Sequence, residues 1–454
     1  MAWHRARMKL LAMLSASATV IGACAGTTTP PTTPTQTAAA ASPAAATSAC
    51  GTQAVSLSAW AGFPEVDAVL KQTGTAFKAI HPNVDVTVFA TDARGFEQKL
   101  ATALPSKTGG DLIIFKANIM SRYIDAGLMA PLPNDMQAFA KGKAFDQSLV
   151  KYSTYNEKLW SLPVFQSGTA LFYNKDMLAE AGVKPPTTMD ELVAAARKLA
   201  KYDAGGKLVR SGLSLRLSGQ GSGVTEKWWT FLLQHGKSLI RETSPGKYRI
   251  EYNGPEGVKT FQMYVDLLQS GALTLTIDSD AKAFENGSTA MFVREPWVIA
   301  DIAKNAPQLV GKYGTISLPK AEIGVPNFTY VPAASANQAC AWEFARFLTE
   351  RDQQLSFAKI GGWLPVRVDL DFSEFLGANP AYDGFLKKPA GYTFDYYATF
   401  PEFDEIATKL ADRLVKGYAD YANLAGRPDR IQASLDTWAS ETTSILRQSG
   451  RLAP

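Results

Sequence analysis

Few residue types in this chain could do covalent or metal chemistry. There are three histidines: His4, His81 and His235. His81 precedes a proline in a turn, and His235 ends a helix beside Gly236, where a cation suits the helix dipole. No H-E-x-x-H, G-x-S-x-G or P-loop pattern occurs. The three cysteines, Cys24, Cys50 and Cys340, form no C-x-x-C pair, so zinc and dithiol chemistry lack support. No metal and no cofactor are expected. A glycosidase needs only two carboxylates, and Asp111, Asp190, Glu285, Glu295 and Glu343 are candidates. Asp190, Glu285 and Glu343 also suit helix starts or turns.

The aromatic residues carry more information. A sugar offers apolar C–H faces and polar edges, so a sugar site wants flat aromatic platforms with amide, hydroxyl and charged groups around them. Trp60, Phe165, Trp228, Trp229, Trp297 and Trp363 fall on expected loops or strand ends. Core packing competes for each of them, and Trp342, inside an apolar helix face, is assigned to the core. Lys116 and Arg294 would favour an anionic or strongly polar ligand, unless they pair with Glu295 or face solvent. The spacing leaves that choice open.

The elements that would hold these residues follow from local pattern. Val55 to Trp60 and Val84 to Ala90 alternate and read as strands, and Asp111 to Phe115 is an apolar strand. Helical stretches separate them, at Phe63 to Ile80 and Phe96 to Leu104. Alternating strands and helices imply an α/β domain with a largely parallel sheet, whose ligands lie beyond the strand C-termini. Those ends carry Trp60-Ala61-Gly62-Phe63 and Lys116-Ala117-Asn118. Val164 to Tyr173 reads as a strand broken at Gln166-Ser167-Gly168. Asn174 caps a short helix that Gly182 stops, and Thr188 with Glu191 forms a capping box for the next. Gly219 to Gly223 is glycine-rich, but no Lys-Ser/Thr follows, so it reads as a loop rather than a phosphate cradle. Phe403 to Leu446 reads as two helices parted near Gly426-Arg427-Pro428.

Several of these stretches combine into a resemblance. P-x(9)-Y-N-K-D from Pro163, then A-G and P-P-x-T-x-x-E-L, resembles the sugar- and oligosaccharide-binding extracellular solute-binding proteins of ABC importers. Four further runs fit the same family: Gly109 to Leu132, Phe284-Glu285-Asn286-Gly287 to Met291 with Trp297, Ala341 to Thr349, and Gly361 to Val366. The resemblance implies an α/β, two-lobed periplasmic-binding-protein fold with a hinge crossed near 165–169, 325–332 and 360–366. It assigns 51–167 with 329–360 to one lobe and 168–328 with 361–454 to the other. Ligand contacts are then expected from Trp60, Lys116, Asn118, Phe165, Gln166, Ser167, Trp228, Trp229, Arg294, Trp297, Tyr330 and Trp363, with Trp297 matching the family's stacking tryptophan. The expected role is capture of a mono- or oligosaccharide, without turnover, and delivery to ABC permease subunits. An anionic solute such as a sugar phosphate, a surface glycoside hydrolase and a chemosensory or adhesion protein are the competing readings.

Residues 1–23 have a basic start (Arg5, Arg7, Lys9) and a short apolar run, as a signal peptide does. Ile21-Gly22-Ala23-Cys24 resembles a lipobox, which makes Cys24 the lipidated residue and places the protein on the outer face of a bacterial cytoplasmic membrane. Residues 25–49 are Thr, Pro, Ala and Ser without charge, as in a disordered tether. Without residues 1–23 the chain has 43 basic and 42 acidic residues, which gives no global support for nucleic-acid binding. A monomer is expected. If Cys24 is lipidated, Cys50 and Cys340 are left as a pair in an oxidising compartment. The resemblance puts both in the same lobe, and a disulfide between them is expected.

Overall fold

Alternating residues in VSLSAWA and VDVTVFA form two parallel strands, β1 (Val55–Ala61) and β2 (Val84–Ala90). In α1 (Asp67–Ile80), Val69, Leu70, Thr73 and Phe77 recur at helical spacing and are buried. Asp92 caps α2 (Ala93–Ala103) by accepting from the Gly95 N–H. The all-apolar β3 (Leu112–Phe115) lies parallel to β1, and α3 (Ala117–Asp125) starts two residues later. The coordinates are a computed structural model that describes residues 48–277 and 281–454. The expected signal peptide, Cys24 and most of the tether lie outside the described residues.

The strand with a polar break is two strands, β4 (Leu162–Ser167) and β5 (Ala170–Asn174), with Gly168-Thr169 between them. Asn174 caps α4 (Lys175–Glu180), and Thr188 with Glu191 makes a complete capping box on α5 (Met189–Leu199). Then come α6 (Gly223–Gln234), α7 (Pro255–Gln269), β6 (Met291–Arg294), α8 (Trp297–Asn305) and β7 (Tyr313–Ser317). β5 is the centre of an antiparallel sheet, β6-β5-β7, so this second sheet is not a parallel one. A ten-residue strand, β8 (Ala321–Tyr330), leads to α9 (Gln338–Phe347) and α10 (Arg351–Gly361). The chain closes with β9 (Thr393–Tyr396), α11 (Phe403–Ala419) and α12 (Pro428–Gln448).

These elements bury one core in the first lobe and two in the second. Phe77, Phe96, Ile113, Phe115, Phe328, Trp342 and Phe344 belong to the first. In the second lobe the two faces of β5 alternate: Leu171 packs with Trp228, Phe261 and Leu410, while Phe172 packs with Phe284, Phe292 and Phe385. β8 joins the lobes. Its start pairs with β9 and its end with β3, and β4 lies along its middle. A third crossing is made residue by residue. Trp363 and Val366 pack into the first core and Leu364 into the second lobe, while Leu364 and Gln166 exchange both backbone hydrogen bonds at 3.0 Å.

Where β4 passes to β5, a buried carboxylate fixes the backbone. Glu322 Oε2 accepts from the Thr169 N–H at 2.8 Å, and Lys388 Nζ stands 2.8 Å from Oε1. A side chain at Gly168 would meet Glu322 Oε2 at 2.5 Å, so only glycine fits there. Burial pushes the Glu322 carboxyl up despite Lys388, and burial lowers Lys388.

The start of the described chain is also tied down. Cys50 and Cys340 form a disulfide, with Cα atoms 4.2 Å apart. Glu343 Oε2 accepts from the Cys50 N–H and the Ser48 hydroxyl, both at 3.1 Å, and His81 Nε2 lies 3.4 Å from Oε1. With Cys50 already bonded, Cys50, His81 and Glu343 form a latch and not a metal site. His235 differs from its sequence reading. Burial, then Lys259 and Lys320, lower it to about 4, so the imidazole is neutral; it bonds Thr260 Oγ1 at 2.8 Å instead of acting as a cation.

Replacing Lys388 by Met leaves Glu322 buried without its cation, and should cost about 3 kcal/mol at pH 7 in urea unfolding. The raised carboxyl makes the native state bind more protons than the unfolded chain, so stability falls as pH rises. The deficit should therefore shrink as the pH is lowered toward the ordinary carboxylate range; a pH-independent deficit would contradict this account.

Candidate functional site

The two lobes meet along a polar seam. From the first lobe come the N-cap of α3, Lys116, and the next two residues, Ala117 and Asn118. Their position follows from β3 ending at Phe115, which places them at a strand C-terminus. From the second lobe come Glu226 and Lys227 in the first turn of α6, and Arg294 and Glu295 where β6 runs into α8. Tyr396 and Tyr397 stand at the end of β9. Lys116 Nζ lies 3.3 Å from Glu226 Oε1 and 5.1 Å from the centre of the Tyr397 ring. Farther out, Arg122 of α3 meets Asp404 of α11 at 3.5 Å. Lys116–Glu226 and Arg122–Asp404 both cross between lobes, so the seam is closed.

Beneath the seam is a gap of about 10 Å³ beside Lys116, Asn118, Tyr152, Phe328, Tyr396 and Tyr397. That is room for about one water, so a larger ligand requires the lobes to part. The gap is lined by rings, with Tyr152 and Tyr396 stacked at 4.3 Å. The Asn118 Oδ1 atom is buried without a hydrogen-bond partner. Such an atom costs about 1–3 kcal/mol, which a donor hydroxyl would recover.

The charges are matched in pairs. Burial opposes ionisation of Glu226, but Lys116, the Ser222 hydroxyl and Lys227 outweigh it and hold the carboxyl at about 2. Glu295 is also buried, and Lys227 and Arg294 hold it well below the usual carboxylate range. Lys227 bonds Glu295 directly, and burial lowers its own ammonium more than Glu295 raises it. Arg294 Nε is 3.8 Å from Glu295 Oε2, and its guanidinium lies 5.2 Å from the Trp297 ring centre. The Trp297 indole N–H donates to Glu295 Oε2 at 3.3 Å. Gly362, at φ +75, passes so close that a side chain would meet Pro296 O and Trp297 Cα at 2.7 Å.

The expected site residues divide into groups. Lys116 and Asn118 line the gap, and Arg294 and Trp297 form the half-buried group on Glu295. Trp60 is a correction: it lies in the first core, 5.4 Å from Phe89, with Lys99 over its ring and its indole N–H on Ser58. Trp228 and Tyr330 are corrections too, since both are fully buried among core side chains. Trp229 is buried behind the seam, edge-on to Tyr397 at 5.8 Å, and holds that ring from below. Phe165, Gln166, Ser167 and Trp363 form the hinge floor: Phe165 and Trp363 lie 4.9 Å apart, Gln166 donates to Pro365 O, and Ser167 pairs with Val325. Glu226, Lys227, Tyr396, Tyr397 and Asp404 were missed. The run TFDYYATF at 393–400, aromatic without helical period, is the signal that could have found the tyrosines. The carboxylates and Lys227 carry no local mark.

The architecture is that of a two-lobed periplasmic binding protein. The profile of the family described as bacterial extracellular solute-binding protein matches residues 72–383, and the chain belongs to that family. A Brucella abortus (strain 2308) chain, named only as a binding protein, is 25% identical over 390 residues, covering 82% of this chain and 88% of that one. The lactose-binding protein of Rhizobium radiobacter is 23% identical over 326 residues, covering 68% and 71%. An ABC transporter solute-binding protein from Thermotoga lettingae, solved with α-D-tagatose, superposes with a TM-score of 0.72 at 21% identity, covering 87% of this chain and 100% of that one. A maltose-bound MalE3 from T. maritima gives 0.71 at 20% identity, covering 85% and 100%. No helix among the described residues is long and apolar enough to cross a membrane.

Lys227→Met removes the main partner of a buried Glu295 and should destabilise the protein by about 3–5 kcal/mol, read from the urea midpoint. Adding Glu295→Gln should restore most of that loss. If the double variant is no better than the single one, the side chains act by packing rather than as a pair.

Proposed function

We propose that this protein is the solute-binding component of an ABC importer and captures a neutral carbohydrate by lobe closure, without turning it over. The observation that carries the reading is the seam itself, where each cation already has a carboxylate and the rings of Tyr152, Phe328, Tyr396 and Tyr397 line the gap. Lys116 stands against Glu226, Lys227 and Arg294 against Glu295, and Arg122 against Asp404. An anionic ligand would have to displace those carboxylates or lie beside them. A sugar needs neither: its hydroxyls can bond the paired groups while its C–H faces lie on Tyr396, Tyr397 or Trp297. Sugar-bound structures of the same fold and the lactose-binding relative support the ligand class. Glu226 and Glu295 are both held ionised, so neither is the proton donor a glycoside hydrolase requires. One feature favours an anionic solute instead: Arg294 Nε has no hydrogen-bond partner, and a glycerol-3-phosphate-binding relative is 24% identical over 281 residues.

Capture would work by differential affinity, the ligand binding the closed seam better than the open lobes. The closed form would then dock, as a monomer, on two permease subunits. Cys24 would carry the lipid that holds the protein at the outer face of the membrane.

A thermal-shift screen of sugars, sugar acids and sugar phosphates tests the ligand class. A ligand at 100 times its Kd should stabilise by about 2.7 kcal/mol. Tyr397→Ala should then weaken sugar binding by about 1–3 kcal/mol while the protein stays folded. Stabilisation by sugar phosphates alone would transfer the assignment to the anionic reading. Cys24→Ala should move the protein from the membrane fraction to the soluble one with its melting unchanged; membrane retention after a high-salt wash would remove the lipid anchor.

A further inference from the structure

Among the described residues, Cys50, His81 and Glu343 each place a possible metal-ligand atom within 4.8 Å of the others. Cys340 is a fourth, since its sulfur is bonded to that of Cys50. Two thiolates, an imidazole and a carboxylate are a donor set that suits zinc. The cluster lies beside Val55 and Val84, where β1 and β2 begin, whereas Lys116 of the seam follows the end of β3. Ligand capture at the seam makes no use of it.

The sequence places these residues on rigid elements. Cys340 and Glu343 are three residues apart in α9, so they share one helix face. His81 caps the end of α1, and its ring lies 4.3 Å from that of Phe77. Phe77 packs in turn on Phe344 and Phe347 of α9, which holds the histidine against the helix that carries the other ligands. The hydrogen bonds orient the donors. Ser48 gives its hydroxyl proton to Glu343 Oε2 and therefore accepts from the His81 Nδ1–H, 3.2 Å away. In the neutral imidazole Nε2 then carries the lone pair that a metal requires. That atom faces Glu343 Oε1 at 3.4 Å, and either a proton on Nε2 or a cation between the two satisfies both. Nitrogen and oxygen ligands of tetrahedral zinc stand about 3.3–3.5 Å apart, so the pair has the spacing of two ligands.

While the disulfide stands, neither sulfur can bind a metal, and the cluster is only a latch. Reduction changes this. A dithiol reductant passes two electrons and two protons to the Cys50–Cys340 bond, becomes a disulfide itself and leaves two thiols. We propose that in this dithiol form Cys50, Cys340, His81 and Glu343 bind one Zn2+, which displaces the two thiol protons. The sulfurs part to about 3.7 Å, which Zn–S bonds of about 2.3 Å require. The movement falls on the turn at Ser48–Cys50, while α1 and α9 keep the other ligands in place. An oxidant that withdraws two electrons restores the disulfide and releases the zinc. The junction between tether and first lobe thus has two alternative closures, and a chain not yet oxidised is held at Cys50 by metal.

The test uses the Cys24→Ala protein, whose only cysteines are Cys50 and Cys340. It is reduced with dithiothreitol, freed of reductant without air, and titrated with Co2+ and then Zn2+. The reduced protein should take up one Co2+ per chain, with the sulfur-to-cobalt charge-transfer band and the strong visible bands of a tetrahedral site, and Zn2+ should abolish both. The disulfide form should show neither. Zn2+ should raise the melting temperature of the reduced protein and leave that of the disulfide form unchanged. His81→Ala and Glu343→Gln should each weaken Co2+ binding at least about tenfold with both thiols intact. Absence of the charge-transfer band from the reduced protein overturns the site, as does melting that Zn2+ leaves unchanged. Co2+ binding that neither His81→Ala nor Glu343→Gln weakens overturns it too, leaving a pair of thiols that binds metal unaided.

Discussion

A two-lobed binding protein depends on where its chain crosses between lobes, and here one crossing is held by a buried carboxylate. Glu322 is almost fully enclosed and accepts the Thr169 N–H while facing Lys388. Taking this pair out of water is expensive, and geometry must repay it. The constraint propagates. Gly168 has to be glycine, β4 has to end at Ser167, and β5 starts in a different sheet. Glu322 belongs to β8, which itself pairs with β9, β4 and β3. A single strand is therefore hydrogen-bonded to elements of both lobes, and its carboxylate sets the backbone of the neighbouring crossing.

The seam above that hinge is polar where an interior would be apolar, and this suits a surface that opens and closes. Lys116 and Glu226 are paired when the lobes meet and hydrated when they part, so closure exchanges water for a partner at small net gain. An apolar seam would stay shut. Each paired charge also removes a reason for a stray ion to bind. What remains unmet includes Asn118 Oδ1 and Arg294 Nε, and a ligand that satisfies them adds free energy to the closed state alone.

Much of the fold was legible because it rests on local pattern. Alternation marked β1 and β2, the polar break marked the crossing at 168, and Thr188 with Glu191 marked the start of α5. The antiparallel second sheet was not legible, since β6 and β7 are short and pair with β5 from more than a hundred residues away. The site was harder for the same reason. Lys116 and Asn118 could be placed because a strand ends just before them. Trp60, Trp228 and Tyr330 were overvalued because a tryptophan or tyrosine suits a sugar site and a core equally well; burial, which decides between them, depends on packing from distant elements. Glu226 follows the glycine-rich stretch 219–223 by three residues and carries no local mark of function; its meaning comes from Lys116, 110 residues away.

The latch at the start of the described chain places a geometric condition on the whole molecule. Val55 and Val84, the first residues of β1 and β2, mark one edge of the first sheet, and Lys116 lies beyond the opposite edge. Val84 follows directly on His81 and Asn83, and His81 reaches the same Glu343 that binds Ser48 and Cys50. The disulfide to Cys340 adds a covalent tie at that end. The chain thus enters the folded body at the strand N-termini, while ligand groups collect at the strand C-termini, where parallel sheets bind. Because β1 and β2 run the length of the lobe between them, entry point and seam are separated by the sheet itself. Restraint at Ser48–Cys50 therefore acts through Cys340, Glu343 and His81, all in the first lobe.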